Sequence, residues 1–364
     1  MTVLPAKPLN LLDDVADLTA ALMDIESVSG NEAAIADAVE AALKELGHLE
    51  VVRDGDSVMA RTNLGRSERV ILAGHLDTVP LPSVPGSRGT VPSSWDGETL
   101  FGRGATDMKG GVAVQLALAA GLTDPNRDIT FVFYDHEEVD ASLSGLGRLE
   151  KSFPEWLKAD FAILLEPTDG TVEGGCNGTM RFQARTTGKA AHSARAWMGD
   201  NAIHGAAEIL VRLRDHQPAT VRVEGLDYRE SLNAVRIHGG TAGNVIPDAA
   251  VVEINYRFAP DKDLAQAEAY VRNLLDGFDL VLTDASAGAR PGLDRPAAAS
   301  FIEAVGAEPK PKYGWTDVAR FSALGIPAVN FGPGDALLAH SDNEHVSAGA
   351  IRECLRALDT WLAS

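Results

Sequence analysis

The stretch AGHLDTVP (73–80) sets His75 two residues ahead of Asp77, directly after the apolar run RVILA (69–73). An imidazole beside a carboxylate can bind a metal ion or move a proton, and the apolar run places this one at a strand end. The same setting recurs further along. DITFVFYD (128–135) is followed by His136, Glu137 and Glu138, and ADFAILLE (159–166) ends on Glu166. IPAVNFG (326–332) leads into a loop that carries His340, and Asp107 sits in the glycine-rich GRGATDMKGG (102–111). Each residue alone has a plainer reading: a loop histidine, a solvated Glu–Glu turn, a helix cap at Asp107, an ordinary strand end at Glu166. Together they converge, because open α/β sheets bind ligands outside the carboxyl ends of their strands. Carboxylates crowded on one rim raise each other's pKa, and a divalent cation removes that penalty. Two imidazoles with three carboxylates suit zinc, cobalt or manganese, and two such ions share a bridging carboxylate when ~3.5–4 Å apart.

The elements that must position these residues follow from pattern. Apolar spacing predicts helices over 11–26 and 31–46, the second starting at Asn31–Glu32. A hairpin is expected over 51–63 with Asp54–Gly55 in its turn, and strands over 69–74, 128–135, 159–166 and 326–332. Apolar helical runs occupy 110–122 and 346–363. This alternation predicts an α/β fold with a mixed, mainly parallel sheet flanked by helices. From about residue 178 the texture changes to strand, helix (201–216), two or three strands (232–260) and helix (263–277). That order suggests an inserted α+β two-layer domain with one open sheet face. The expected division is 1–177 and 291–364 for the catalytic domain and 178–290 for the insertion.

The totals bound the rest. The chain has 364 residues, 45% hydrophobic and 23% charged, with a formal net charge of −20. Such a surface repels nucleic acid and anionic membranes, so neither is expected as a partner. An anionic substrate is repelled too, but salt screens that beyond ~8 Å, and local arginines could hold it. No run approaches the ~18 apolar residues of a membrane span. The N-terminal MTVLPAKPLNLLDD lacks a secretory pattern, and the two cysteines, Cys176 and Cys354, can form at most one bridge, so a cytoplasmic location is the simplest expectation.

The runs GHLDTVP, GRGATDMKGG, YDHEEVD, LLEPT, AHSARA and AHSDNEHV, in this order over nearly the whole chain, resemble the dinuclear zinc aminoacylase and peptidase family. Within it, AHSARAWMGDNAIH and GWTDVARFSALGIPAVNFGPGD look most like the succinyl-diaminopimelate desuccinylases of actinobacterial type. The resemblance implies a zinc-exopeptidase-like fold whose insertion is a lid and dimerisation domain, hence a homodimer. It implies two Zn²⁺, replaceable by Co²⁺ or Mn²⁺. His75 and Glu166 would hold one ion and Glu138 and His340 the other, with Asp107 bridging both. Glu137 would be the general base, and Asp77 would orient His75 through its distal N–H. A cis peptide is expected at Asp107–Met108. His192 would stabilise the oxyanion in the active site of the other subunit. Arg257, Asn244 and Thr316 would hold the carboxylates of a small anionic acyl-amino-acid substrate, with Arg195 as a further candidate. His136 is expected to pack, and His345 competes with His340 as a ligand.

The implied reaction is N-succinyl-LL-2,6-diaminopimelate plus water giving succinate and LL-2,6-diaminopimelate, in lysine biosynthesis. An acetylornithine deacetylase, aminoacylase or dipeptidase would share every metal residue. A non-catalytic amino-acid-binding homologue is the alternative outside enzymes. A nucleotide binder has no support, since GRGATDMKGG is not GxGxxG.

Overall fold

The computed structural model describes residues 8–363. The N-terminal run read above lies partly outside them. The chain forms two compact units. The first comprises residues up to Gly174, Gly292–Lys310 and from Arg320 onward; the second comprises Gly175–Pro291 and Pro311–Ala319. The chain passes from the first unit to the second after Gly174 and back after Pro291, and 311–319 packs with the second unit as well.

The first unit is built on a mixed sheet. Strands Asp128–Tyr134, Arg69–His75, Phe161–Leu164 and Ala328–Asn330 lie side by side and parallel. The hairpin Glu50–Asp54 and Ser57–Arg61 adds antiparallel to one edge, and the short strand Glu173–Gly174 adds antiparallel beside Ala328–Asn330. All seven residues of Asp128–Tyr134 are buried, as a strand covered on both faces requires. Helices Val15–Met23, Gly110–Gly121 and Ala348–Ala363 pack on one another and share one apolar core with the sheet. The parallel strands all run towards one rim, so the segments that follow them emerge together there.

The second unit has a four-stranded antiparallel sheet in the order Ser231–Gly239, Ala249–Phe258, Gly178–Thr187, Asp279–Ser286. Its central strand Ala249–Phe258 alternates strictly, with Val252, Ile254, Tyr256 and Phe258 buried. Those side chains meet Ile209 and Leu213 of one helix (Ala207–Asp215) and Ala267 and Val271 of another (Leu264–Leu274). One sheet face is therefore covered by helices and the other is not, giving the expected two layers.

Sequence pattern overran the helix ends. The helix expected from residue 31 begins at Ala33, because Glu32 turns its carboxylate back to the N–H of Gly30 instead of capping the helix. The helix expected over 201–216 is two, Ala202–Gly205 and Ala207–Asp215. The helices Gly145–Ser152 and Pro296–Val305 and the strand Asp279–Ser286 were not anticipated.

A buried carboxylate secures the loop before strand Arg69–His75. Asp128 accepts hydrogen bonds from the hydroxyl of Thr62 and the N–H groups of Leu64, Gly65 and Arg66. Burial opposes its charge, but these donors and Arg69 prevail and hold its pKa below the usual carboxylate value. Its stabilising effect is therefore present above about pH 4 and lost as pH falls through the folded-state value. Asp128→Ala should cost on the order of 2–4 kcal/mol at pH 7. Thermal unfolding of both proteins should show the gap at pH 7 shrinking near pH 3.

Candidate metal centre

Strand Arg69–His75 ends on His75, whose ring is buried beside Tyr134 in an edge-to-face contact. After strand Asp128–Tyr134 the chain turns through His136, in a left-handed conformation (φ 58°), and presents Glu137 and Glu138. Beyond Phe161–Leu164 comes Glu166. Its backbone is closely flanked: a Cβ at Gly111 would lie 2.2 Å from the Leu165 carbonyl oxygen, and one at Gly332 would lie 2.3 Å from the same atom. Only glycine fits at either position. After Ala328–Asn330 the chain runs through a short turn, Ala336–Leu338, to His340 at φ 63°. Non-glycine residues held at positive φ cost free energy and are enriched at functional sites.

These segments meet at Asp107. Its Oδ1 lies 3.0 Å from His75 Nε2 and its Oδ2 lies 3.2 Å from His340 Nε2. His340 Nε2 is also 3.0 Å from Glu138 Oε1, and His75 Nε2 is 4.0 Å from Glu166 Oε1. His75, Asp107 and Glu166 each present one ligand atom within 4.8 Å of the others, and so do Asp107, Glu138 and His340. A third such grouping joins His75, Glu137 and Glu138. Asp107 belongs to the first two groupings through different oxygens. The donor set thus fits two divalent ions with one shared carboxylate. The Asp107–Met108 peptide is cis, as expected.

Asp77 departs from expectation. Its carboxylate is 3.6 Å from His75 Nδ1, while its own backbone carbonyl is the acceptor at 2.9 Å. The buried carboxylate instead accepts from the N–H groups of Glu137 (2.9 Å) and Glu138 (3.0 Å) and from the Ser29 hydroxyl (2.6 Å). Two successive N–H groups in a tight turn make a cradle for an anion, and here a carboxylate fills it. Asp77 therefore orients His75 with main chain and the Glu137–Glu138 turn with side chain. His136 pairs with Asp135 at 2.7 Å, and His345 stacks on Phe101 and bonds the carbonyl of Asn343. Neither belongs to the three groupings. Sequence reading missed Glu344, a fully buried carboxylate beside Asp107; a lone glutamate in the polar loop SDNEH gives no signal of burial.

The remaining expected residues lie in the second unit. His192, Arg195 and Asn244 are gathered by the short ladder Ala191–His192 against Val245–Ile246 and by the Ser193 N–H to Asn244 carbonyl bond. All three are exposed. His192 Nδ1 accepts from the Ala194 N–H, leaving Nε2 to carry the proton of the neutral ring. Arg257 sits on the sheet face away from the helices and bonds Asn255. Burial and the neighbouring Arg181 lower its pKa. Thr316 is buried on the separate 311–319 segment, its carbonyl facing the Cys176 thiol. Both cysteines are free and buried.

Fold and site together define a metal-dependent amide hydrolase. Residues 71–364 match the family model of peptidase family M20/M25/M40, and the chain belongs to that family. It is 53% identical to a Mycobacterium tuberculosis protein that bears the name succinyl-diaminopimelate desuccinylase provisionally, over 97% of this chain and 99% of that one. It is 43% identical to the succinyl-diaminopimelate desuccinylase of Corynebacterium glutamicum, over 98% of each. Among solved structures, a Staphylococcus aureus tripeptidase superposes with a TM-score of 0.79 at 22% identity, over 98% of this chain and 99% of that one. A dinuclear metal-binding M20 peptidase of Bacillus subtilis superposes with a TM-score of 0.70 at 17% identity, over 96% of each. Among the described residues no helix is long and apolar enough to cross a membrane.

The carboxylates around the two imidazoles set their pKa values. Burial alone would depress His75, but the Asp107 hydrogen bond and the charges of Glu166, Asp107 and Asp77 raise its pKa well above the usual value near 6.5. Hydrogen bonds to Asp107 and Glu138 push His340 up to about 10. Asp107, despite burial, is held low by the two imidazoles. Both rings are then protonated at pH 7 and must lose a proton before their nitrogens can ligate. Zinc binding at pH 7 should release about two protons per chain. Calorimetry in buffers of different ionisation enthalpy measures this, and His340→Ala should lower the count by about one.

Proposed function

We propose that this enzyme hydrolyses the amide of N-succinyl-LL-2,6-diaminopimelate, yielding succinate and LL-2,6-diaminopimelate, with two zinc ions in the site. The observation that carries the reading is Asp107, each of whose oxygens faces an imidazole backed by its own glutamate. The names borne by the relatives at 53% and 43% identity support the substrate. His75 and Glu166 would hold one ion, Glu138 and His340 the other, and Asp107 both. The chemistry such ions would supply there is Lewis-acid polarisation of a carbonyl and a lowering of the pKa of a water from ~15.7 towards ~7.

The chain's own residues do the rest. Glu137 is the general base: its carboxylate removes a proton from the attacking water and returns one to the leaving amine. Asp77 accepts from the Glu137 N–H, which fixes the main chain that carries the base. Arg257, Asn244 and Thr316, with Arg195, bind the substrate's carboxylates, and arginine suits this because its planar fork matches a carboxylate. His192 stabilises the oxyanion of a second copy of the chain in a homodimer formed through the inserted unit. The edge strand Ser231–Gly239 supports that contact, since it is exposed and carries Val235 and Ile237 at the surface. Two buried free thiols accord with a cytoplasmic location.

Glu137→Ala should lower kcat by about 10²–10⁴-fold while elemental analysis still finds two zinc ions. Parallel turnover of succinyl-diaminopimelate and N-acetylornithine tests the substrate. Preference for the second would transfer the assignment to an acetylornithine deacetylase.

A further inference from the structure

Glu344 lies four residues past His340, in a loop rich in polar residues, yet none of its surface is exposed. Its Oε1 accepts from the backbone N–H of Thr106 at 3.0 Å and of Asp107 at 3.1 Å. Its Oε2 accepts from Arg103 Nη1 at 2.7 Å, and Arg103, itself buried, also reaches the Ser341 carbonyl at 3.4 Å. The segment that carries His340 is thereby tied to the segment that carries Asp107, at the Asp107 amide itself.

The local backbone makes that tie consequential. Asp107 (φ −121°, ψ 97°) and Met108 (φ −134°, ψ 38°) are not helical, and the main-chain bond that spans them runs from the Lys109 N–H to the Gly104 carbonyl. An aspartate side chain has only two rotatable bonds, and both Asp107 oxygens are engaged, one towards His75 and one towards His340. Once both oxygens must be placed, the position of the backbone decides whether they can be. The Thr106 hydroxyl also donates to the His345 carbonyl at 2.7 Å, but the acceptor of the Thr106 and Asp107 N–H groups themselves is Glu344.

We propose that Glu344 is a positioning residue that sets the Asp107 bridge by anchoring the Thr106 and Asp107 amides. This rests on the reading that Asp107 is shared by two ions. The Arg103 ion pair compensates the buried charge and leaves Oε1 free for the two amides.

Two double variants isolate the anchor. Arg103→Leu with Glu344→Gln removes both charges but keeps a carbonyl oxygen for the amides. Arg103→Leu with Glu344→Leu removes the acceptor as well. Chelator-treated proteins are titrated with Co²⁺ by calorimetry and by the visible spectrum of the bound ion, alongside kcat, KM and thermal unfolding. The Leu/Leu protein should bind one of the two ions about 10–100-fold more weakly than the Leu/Gln protein, with an altered spectrum. Its kcat should fall with KM nearly unchanged. Glu344→Asp, shorter by one methylene with its charge intact, gives the same comparison should Leu/Leu not fold, and should bind that ion more weakly than the native chain. A purely structural role would lower the unfolding midpoint and leave ion affinity and spectrum alone, which overturns the proposal. Asp107→Ala separates the two readings. If it loses an ion and the Glu344 variants do not, only the anchor is wrong; if it binds both ions normally, the shared-carboxylate reading falls first.

Discussion

Everything at the rim is arranged around one carboxylate between two imidazoles. Asp107 faces His75 with one oxygen and His340 with the other. Behind each imidazole stands a glutamate, and further acids crowd the same volume. A concentration of negative charge like this is unfavourable without positive charge among it. The carboxylates draw the imidazoles towards their charged form, raising the pKa of both rings. Divalent ions satisfy the same carboxylates with more charge and leave the ring nitrogens free to ligate. The demand for positive charge at the rim is thus a property of its own electrostatics, and a sheet that brings its strand ends together is what creates it.

Buried carboxylates do a second job throughout the first unit: they hold main chain. Asp128 gathers the N–H groups of Leu64, Gly65 and Arg66. Asp77 takes those of Glu137 and Glu138, and Glu344 those of Thr106 and Asp107. These N–H groups find no strand or helix acceptor, and an unpaired buried N–H would be costly. Asp77 and Glu344 each sit a few residues from a metal-site histidine and reach across to the turn that carries a carboxylate. The framework is therefore laced segment to segment.

The second unit obeys different physics. Its sheet has a single covered face, and its arginines lie on the other, where Arg181 and Arg257 repel one another. The two cations stand side by side on an open sheet face, with Asp284 near both, in a chain with a net charge of −20.

Much of this was legible before any coordinates. Continuous apolar runs mark the four parallel strands and period-3.6 patterning most helices, because burial on both sheet faces or on one helix face writes itself into residue order. The strand-end rule then gathered His75, Glu137, Glu138, Glu166 and His340, and the glycine-rich loop marked Asp107. Helix ends were misjudged where a side chain turned back on its own loop, as Glu32 does. What residue order could not convey was partnership at a distance. Asp77 reads as the partner of the histidine two residues away, yet its carboxylate serves the turn after the next strand. Glu344 reads as solvated, yet it is buried against an amide 237 positions away. Local pattern determines which face of an element is apolar; which donor a buried carboxylate finds is decided only when separate segments pack, because that choice depends on distance in space.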